Sequence, residues 1–84
     1  MNWNWYQTPE FPDCWFLDAT ECHVSLQPRP TYCDRGRWIA RVEAWGALKM
    51  DLDEADGWPR YYFELTVAKS ECEAWLRCRG QGAA

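Results

Sequence analysis

The residues from Arg37 to Trp45 alternate strictly. Trp38, Ala40, Val42 and Ala44 share one side, while Ile39, Arg41, Glu43 and Trp45 share the other. Successive side chains point to opposite faces only along an extended chain, so this stretch reads as a strand with one apolar and one mixed face. Cys22 to Gln27 repeats the pattern: Cys22, Val24 and Leu26 oppose His23, Ser25 and Gln27, and Pro28-Arg29-Pro30 stops the run. Two half-apolar strands need a cover, and the last third of the chain supplies it. Ala68, Cys72, Trp75 and Leu76 recur at helical spacing, in a stripe about 100° wide that Arg79 extends. Glu73 and Arg77 form an exposed i,i+4 pair, and Gly80 is a natural terminator. Ser70-Glu71-Cys72-Glu73 matches a capping box, but Ala68 already belongs to the stripe, so the helix is expected to start from a Thr66 cap.

The remaining segments fit around this frame. Gly46 allows a tight reversal after which Leu48, Met50 and Leu52 alternate with Lys49, Asp51 and Asp53 as a returning strand. Residues 53–59 read as a loop, and Arg60-Tyr61-Tyr62-Phe63 as a short extended piece favoured by its aromatics. Cys14-Trp15-Phe16-Leu17 is a short apolar run, and Asp18-Ala19-Thr20-Glu21 has turn character. Pro9 and Pro12 exclude a helix or a central strand from the first thirteen residues, which read as an irregular arm laying its rings across the sheet. The expected fold is α+β: a three- to four-stranded antiparallel sheet with one C-terminal α-helix packed on one face. The chain is read as a single domain over 1–84, with an arm over 1–13, sheet over 14–65, helix over 66–79 and a flexible tail over 80–84. Trp38, Val42, Val24, Leu26, Met50, Trp75 and Leu76 are the expected core.

Composition narrows the function classes. A chain of 84 residues buries about 60–65% of its unfolded surface, enough for one sheet-and-helix core and no separate catalytic domain. Seven tryptophans, four tyrosines and three phenylalanines exceed what one such core absorbs, so ring faces are expected outside. A net charge of −4 sets the overall field against a nucleic-acid surface, and the nine Lys and Arg are scattered, though Arg29, Arg35 and Arg37 share one loop. No apolar run approaches the roughly 20 residues of a membrane span. The opening Met1-Asn2-Trp3-Asn4-Trp5-Tyr6 is neither basic nor aliphatic, which is not the pattern of a secretory signal. Five cysteines, an odd number, fit a closed disulfide framework poorly. Free thiols and a cytoplasmic location are therefore expected.

Catalytic and metal chemistry find little here. His23 is the only histidine, and no nucleophile elbow or phosphate loop is present. Cys14, Cys22, His23 and Cys33 are zinc-ligand types without the close Cys pairs most structural sites use, and adjacent strand residues such as Cys22 and His23 diverge. The acidic run from Asp51 to Gly57 invites a calcium reading, but an EF-hand register from Asp51 puts Ala55, Asp56 and Tyr62 where ligand, glycine and glutamate belong. No catalytic residue, metal or cofactor is assigned. The acidic run is instead read as a recognition edge: Asp51, Asp53, Glu54 and Asp56 beside Trp58 and Tyr61, with Trp3 and Trp5 as further surface rings. Charge steers such contacts and aromatic anchors hold them.

Arg37-Trp38-Ile39-Ala40, the acidic segment from Asp51 to Asp56 and the closing helix around Ala74-Trp75-Leu76 resemble, in style, the small acidic accessory proteins of bacteriophages, the anti-CRISPR inhibitors. Such inhibitors share no common fold, so the resemblance implies a class and no residue roles. That class is a non-catalytic inhibitor or adaptor that occludes a basic or recruitment surface of a host protein or complex handling nucleic acid, in the host cytoplasm. Direct nucleic-acid binding and membrane association are not favoured, and an exposed aromatic face could equally be a homodimer seam. Two alternatives remain: a small zinc-binding domain using Cys14, Cys22 and Cys33, and a weak nucleic-acid or ligand-binding module.

Overall fold

A computed structural model describes residues 3–30, 34–45 and 58–82. Five strands, β1 (Tyr6–Thr8), β2 (Phe11–Asp18), β3 (Cys22–Pro28), β4 (Trp38–Ala44) and β5 (Arg60–Tyr62), form one sheet in that order, antiparallel at every pairing. Among the described residues a single helix, α1 (Leu65–Cys78), follows.

The two alternating stretches become the centre of the sheet, and their register matches apolar to apolar. Val24 stands opposite Leu17 and Val42, Leu26 opposite Trp15 and Ala40, and Cys22 opposite Ala44. Directly opposed residues share a face, so this set forms one continuous apolar surface. The helix lays Ala68, Cys72 and Leu76 on it, the stripe expected from the sequence. Leu17, Val24, Leu26, Cys22, Cys72 and Leu76 are fully buried, while Trp38, Val42 and Trp75 pack against them half-buried.

The sheet has five strands, not three to four. Tyr6–Thr8, expected to be irregular, pairs with β2 as an edge strand, with a register shift between Tyr6 and Thr8. Both prolines are accommodated by position. Pro9 sits in the turn between β1 and β2, and Pro12 precedes the Trp15–Asp18 stretch of β2 that pairs with β3. Neither therefore removes a donor from the central ladder. The expected returning strand through Leu48, Met50 and Leu52 lies outside the described residues; the described partner of β4 is β5.

The helix also begins earlier than expected. Its N-cap is Glu64, with no side-chain cap bond, so neither Thr66 nor Ser70 caps it. At the other end Gly80, at φ +72°, donates its N–H to Arg77 O at 3.0 Å, and Gln81 donates to Leu76 O at 2.9 Å. This pair of bonds is a Schellman closure, for which glycine supplies the left-handed residue. The segment after it is tied down rather than loose as far as it is described. Gln81 is buried, its Oε1 accepts the Glu21 N–H at 2.7 Å, and Gly82 O accepts the Thr20 N–H at 3.1 Å.

Candidate docking face

Because α1 covers one face of the sheet, the other face is defined by register alone. Tyr6, Phe16, Ser25 and Arg41 form one cross-strand row, Asp18, His23 and Glu43 a second, and Gln27, Ile39 and Tyr61 a third. All project away from the helix.

Rings dominate the β1–β3 side of this face. Phe16 lies at the centre: Tyr6 is 5.7 Å away and tilted by 32°, Phe11 is 6.5 Å away edge-on, and His23 stacks on it at 5.5 Å and 18°. Asp18 anchors the cluster. The Tyr6 hydroxyl donates to both its oxygens at 3.1 Å, and His23 Nδ1 stands 2.8 Å from Oδ1. Burial, and then the Asp18 carboxylate, push the Tyr6 phenol above its ordinary value, so it stays a donor. Phe11 is 59% exposed and Tyr6 37%, large exposures for rings this size. Together with Thr8, Glu10, Phe16 and His23 they line a shallow cavity of about 270 Å³.

The β4–β5 side is cationic. Tyr61 carries the Arg29 guanidinium 4.6 Å above its ring centroid and that of Arg35 at 5.6 Å, while Arg41 is exposed in the row of Phe16. Stacking on a ring holds a guanidinium in a fixed plane, which suits it for pairing with carboxylates. The carboxylates Glu10, Asp18 and Glu43 are also exposed, so the face is of mixed sign.

Of the residues singled out in the sequence, the four that are described, Trp3, Trp5, Trp58 and Tyr61, do not share one face. Asp51, Asp53, Glu54 and Asp56 lie outside the described residues. Trp3 and Trp5 are half-buried on the helix side of the sheet, where Trp5 Nε1–H donates to Glu73 Oε2 at 2.7 Å. Lys69 reaches over the neighbouring Trp15 ring, 3.5 Å from its centroid. Trp58 is half-buried at the other end of that side, edge-on to Trp75 at 5.2 Å with the Arg60 guanidinium 4.4 Å above it. Of the four that are described, Tyr61 alone stands on the face away from the helix. Tyr6, Phe11, Phe16, His23, Arg29, Arg35 and Arg41 are the additions the structure makes.

The thiols are divided between faces. Cys22 opposes Ala44 on the buried side, whereas Cys14 lies with Phe11, Phe16 and Gln27 on the open one, so one ion cannot bind both. Cys33 lies outside the described residues, and among the described residues no three His, Cys, Asp or Glu converge as ligands. Burial pushes the Cys22 thiol up to about 11 and Cys72 up to about 12, which keeps both protonated and unreactive. Among the described residues no helix is long and apolar enough to cross a membrane. No protein-family profile matches the chain, and neither a curated protein nor a solved structure shows significant similarity to it.

Proposed function

We propose that the protein is a non-catalytic docking module, an inhibitor or adaptor, that seats a partner protein of mixed charge on the uncovered face of its sheet. The observation that carries this reading is the asymmetry of cover among the described residues: one face is closed by α1, while no described element lies over the other, which presents Tyr6, Phe11, Phe16 and Tyr61 with Arg29, Arg35 and Arg41. Tyrosine, phenylalanine and arginine are the residue types enriched at protein interfaces. A hydrogen-bonded sheet presents Tyr6, Phe11, Phe16, Arg41 and Tyr61 on a fixed backbone, so little ordering of these residues is left to oppose binding.

Charge favours a protein over a nucleic acid. A single strand would lay continuous phosphate across Glu10, Asp18 and Glu43 on a chain of net charge −4. A protein places cationic side chains over the ring-and-carboxylate side and carboxylates over the arginines. The narrower form, occlusion of a basic surface on a nucleic-acid-handling complex, draws its support from the acidic run Asp51–Asp56 and from the resemblance to small phage inhibitors.

The test is selection of displayed random peptides on the wild-type protein. Selected peptides are expected to lose binding to Phe11→Ala/Arg41→Glu and to keep it on Val67→Glu, a control on the exposed side of α1. Equal binding to both variants overturns the proposal. So does tight binding of single-stranded oligonucleotides that displaces the peptides, or a sedimenting dimer that Arg41→Glu dissolves.

A further inference from the structure

Three arginines gather where the face away from the helix meets the β3–β4 connection. Arg29 donates its N–H to Arg37 O at 2.6 Å, one step beyond the last β3–β4 pair, Pro28 with Trp38. The two arginines therefore stand opposite one another, a placement of like charges that costs a sheet stability. Arg35 joins them because Gly36, at φ +145°, lets the chain press against the Tyr62 backbone. The Arg35 guanidinium then lies 5.6 Å from the Tyr61 centroid, and that of Arg29 lies 4.6 Å from the same ring. Among the described residues no carboxylate pairs with Arg29, Arg35 or Arg37, although Asp34 shares their loop. Arg29 Nη1 is buried without an acceptor, so its guanidinium is unanswered on the inner side and a counter-anion has to come from outside. Arg35 and Arg37 are exposed, which leaves that approach open.

We infer that this cluster is a phosphate site, which takes a phosphorylated side chain of the partner protein. The inference rests on the docking reading for its location but names a group that reading leaves open. Charge makes the selection. Three guanidiniums without a described counter-charge exceed what one carboxylate neutralises, whereas a phosphate monoester carries about −1.5 to −2 and three acceptor oxygens. A guanidinium over a ring is preorganised, and its paired N–H groups match phosphate oxygens. Arg41, exposed in the row of Phe16, remains for a partner carboxylate. A phosphodiester strand fits less well, since each group carries one charge and its neighbours would meet Glu10, Asp18 and Glu43.

The probes are peptides selected from a random library synthesised around a fixed phosphoserine, and the same sequences with glutamate in its place. Binding is followed by NMR at the Nε–H groups of Arg29, Arg35 and Arg37 and at the Tyr61 ring. The phosphoserine form is expected to bind about tenfold tighter than the glutamate form, and Arg35→Gln or Arg37→Gln to weaken it about tenfold by removing a charge-assisted contact. Arg35 and Arg37 are exposed, so both variants should fold, and a conserved amide spectrum checks this. Equal affinity for the glutamate form, indifference to both substitutions, absence of shifts at the arginines, or displacement of the phosphopeptide by a single-stranded oligonucleotide overturns the phosphate site. If it fails while Phe11→Ala/Arg41→Glu still abolishes binding of the displayed, unphosphorylated peptides, the docking face stands without it. If those peptides also ignore that double substitution, the docking reading falls as well.

Discussion

Replacing Gly36 with alanine probes how β5, and with it Tyr61, is held in the sheet. Gly36 is buried with φ +145°, a conformation side-chain-bearing residues rarely adopt. A Cβ there would lie 2.5 Å from Tyr62 O and 2.8 Å from Tyr62 C and N, all backbone atoms of β5. No rotamer change relieves contacts with backbone, so the loop before β4 or the strand β5 must move. Backbone strain costs about 1–3 kcal/mol and overpacking about 1–3 kcal/mol more, giving about 2–6 kcal/mol. The whole stability of a chain this size is about 4–13 kcal/mol at the usual 0.05–0.15 per residue. With a urea slope near 1 kcal/mol/M, the unfolding midpoint should fall by about 2 M or more. Gly80→Ala is the control: φ is also positive, at +72°, but nothing lies within 4 Å of the added carbon. It should cost only about 1–2 kcal/mol for the left-handed conformation. Urea titrations followed by tryptophan fluorescence measure both. A Gly36→Ala midpoint equal to wild type, or above that of Gly80→Ala, would refute the close packing of this loop on β5.

Other substitutions test the core and its thiols. Leu76→Ala, at a fully buried helix position, should lose about 2–5 kcal/mol, whereas Val67→Ala, 45% exposed, should stay within about 0.5 kcal/mol by the same titration. Under native conditions iodoacetamide should modify exposed Cys78 first and spare Cys22 and Cys72, read by peptide mass spectrometry; equally fast labelling of Cys72 and Cys78 would contradict the packing. The raised thiols also set a pH dependence. Their folded values, about 11 and about 12, exceed the ordinary 9.0, so the stability they contribute is complete below pH 9 and is lost as pH rises through 11 to 12. Tyr62, raised chiefly by burial, adds the same sign. Thermal midpoints should therefore decline above pH 9, and less steeply in Cys72→Ala; a midpoint that climbs above pH 9 would contradict this.

What was legible in the sequence follows from which segments have a single buried side. β3 and β4 alternate cleanly because one face of each meets the core, and α1 shows its stripe for the same reason. β2 hides its period because rings occupy both faces: Trp15 and Leu17 point to the helix, Phe16 away from it, so the letters read as one apolar run. β1 is masked by flanking Pro9 and by a register shift, both tolerable only because it is an edge. The site depends more on tertiary pairing than the fold does. Alternation puts His23 on the polar side of its strand, but its stack on Phe16 exists only through the β2–β3 register. Arg29 and Arg35 share a loop in the sequence, yet Tyr61 reaches them only once β5 pairs with β4 across a long sequence separation. Conversely, Trp3, Trp5 and Trp58 read as surplus rings, whereas the sheet's helix side is broad enough to half-bury all three.

The direct measurement of the central claim is an NMR chemical-shift map of the protein titrated with a selected peptide. The largest changes should fall on the rows facing away from the helix, at Tyr6, Phe16, His23, Arg41 and Tyr61, and leave the outer side of α1 around Val67 and Ser70 unmoved. Changes confined to that outer side of the helix would contradict it.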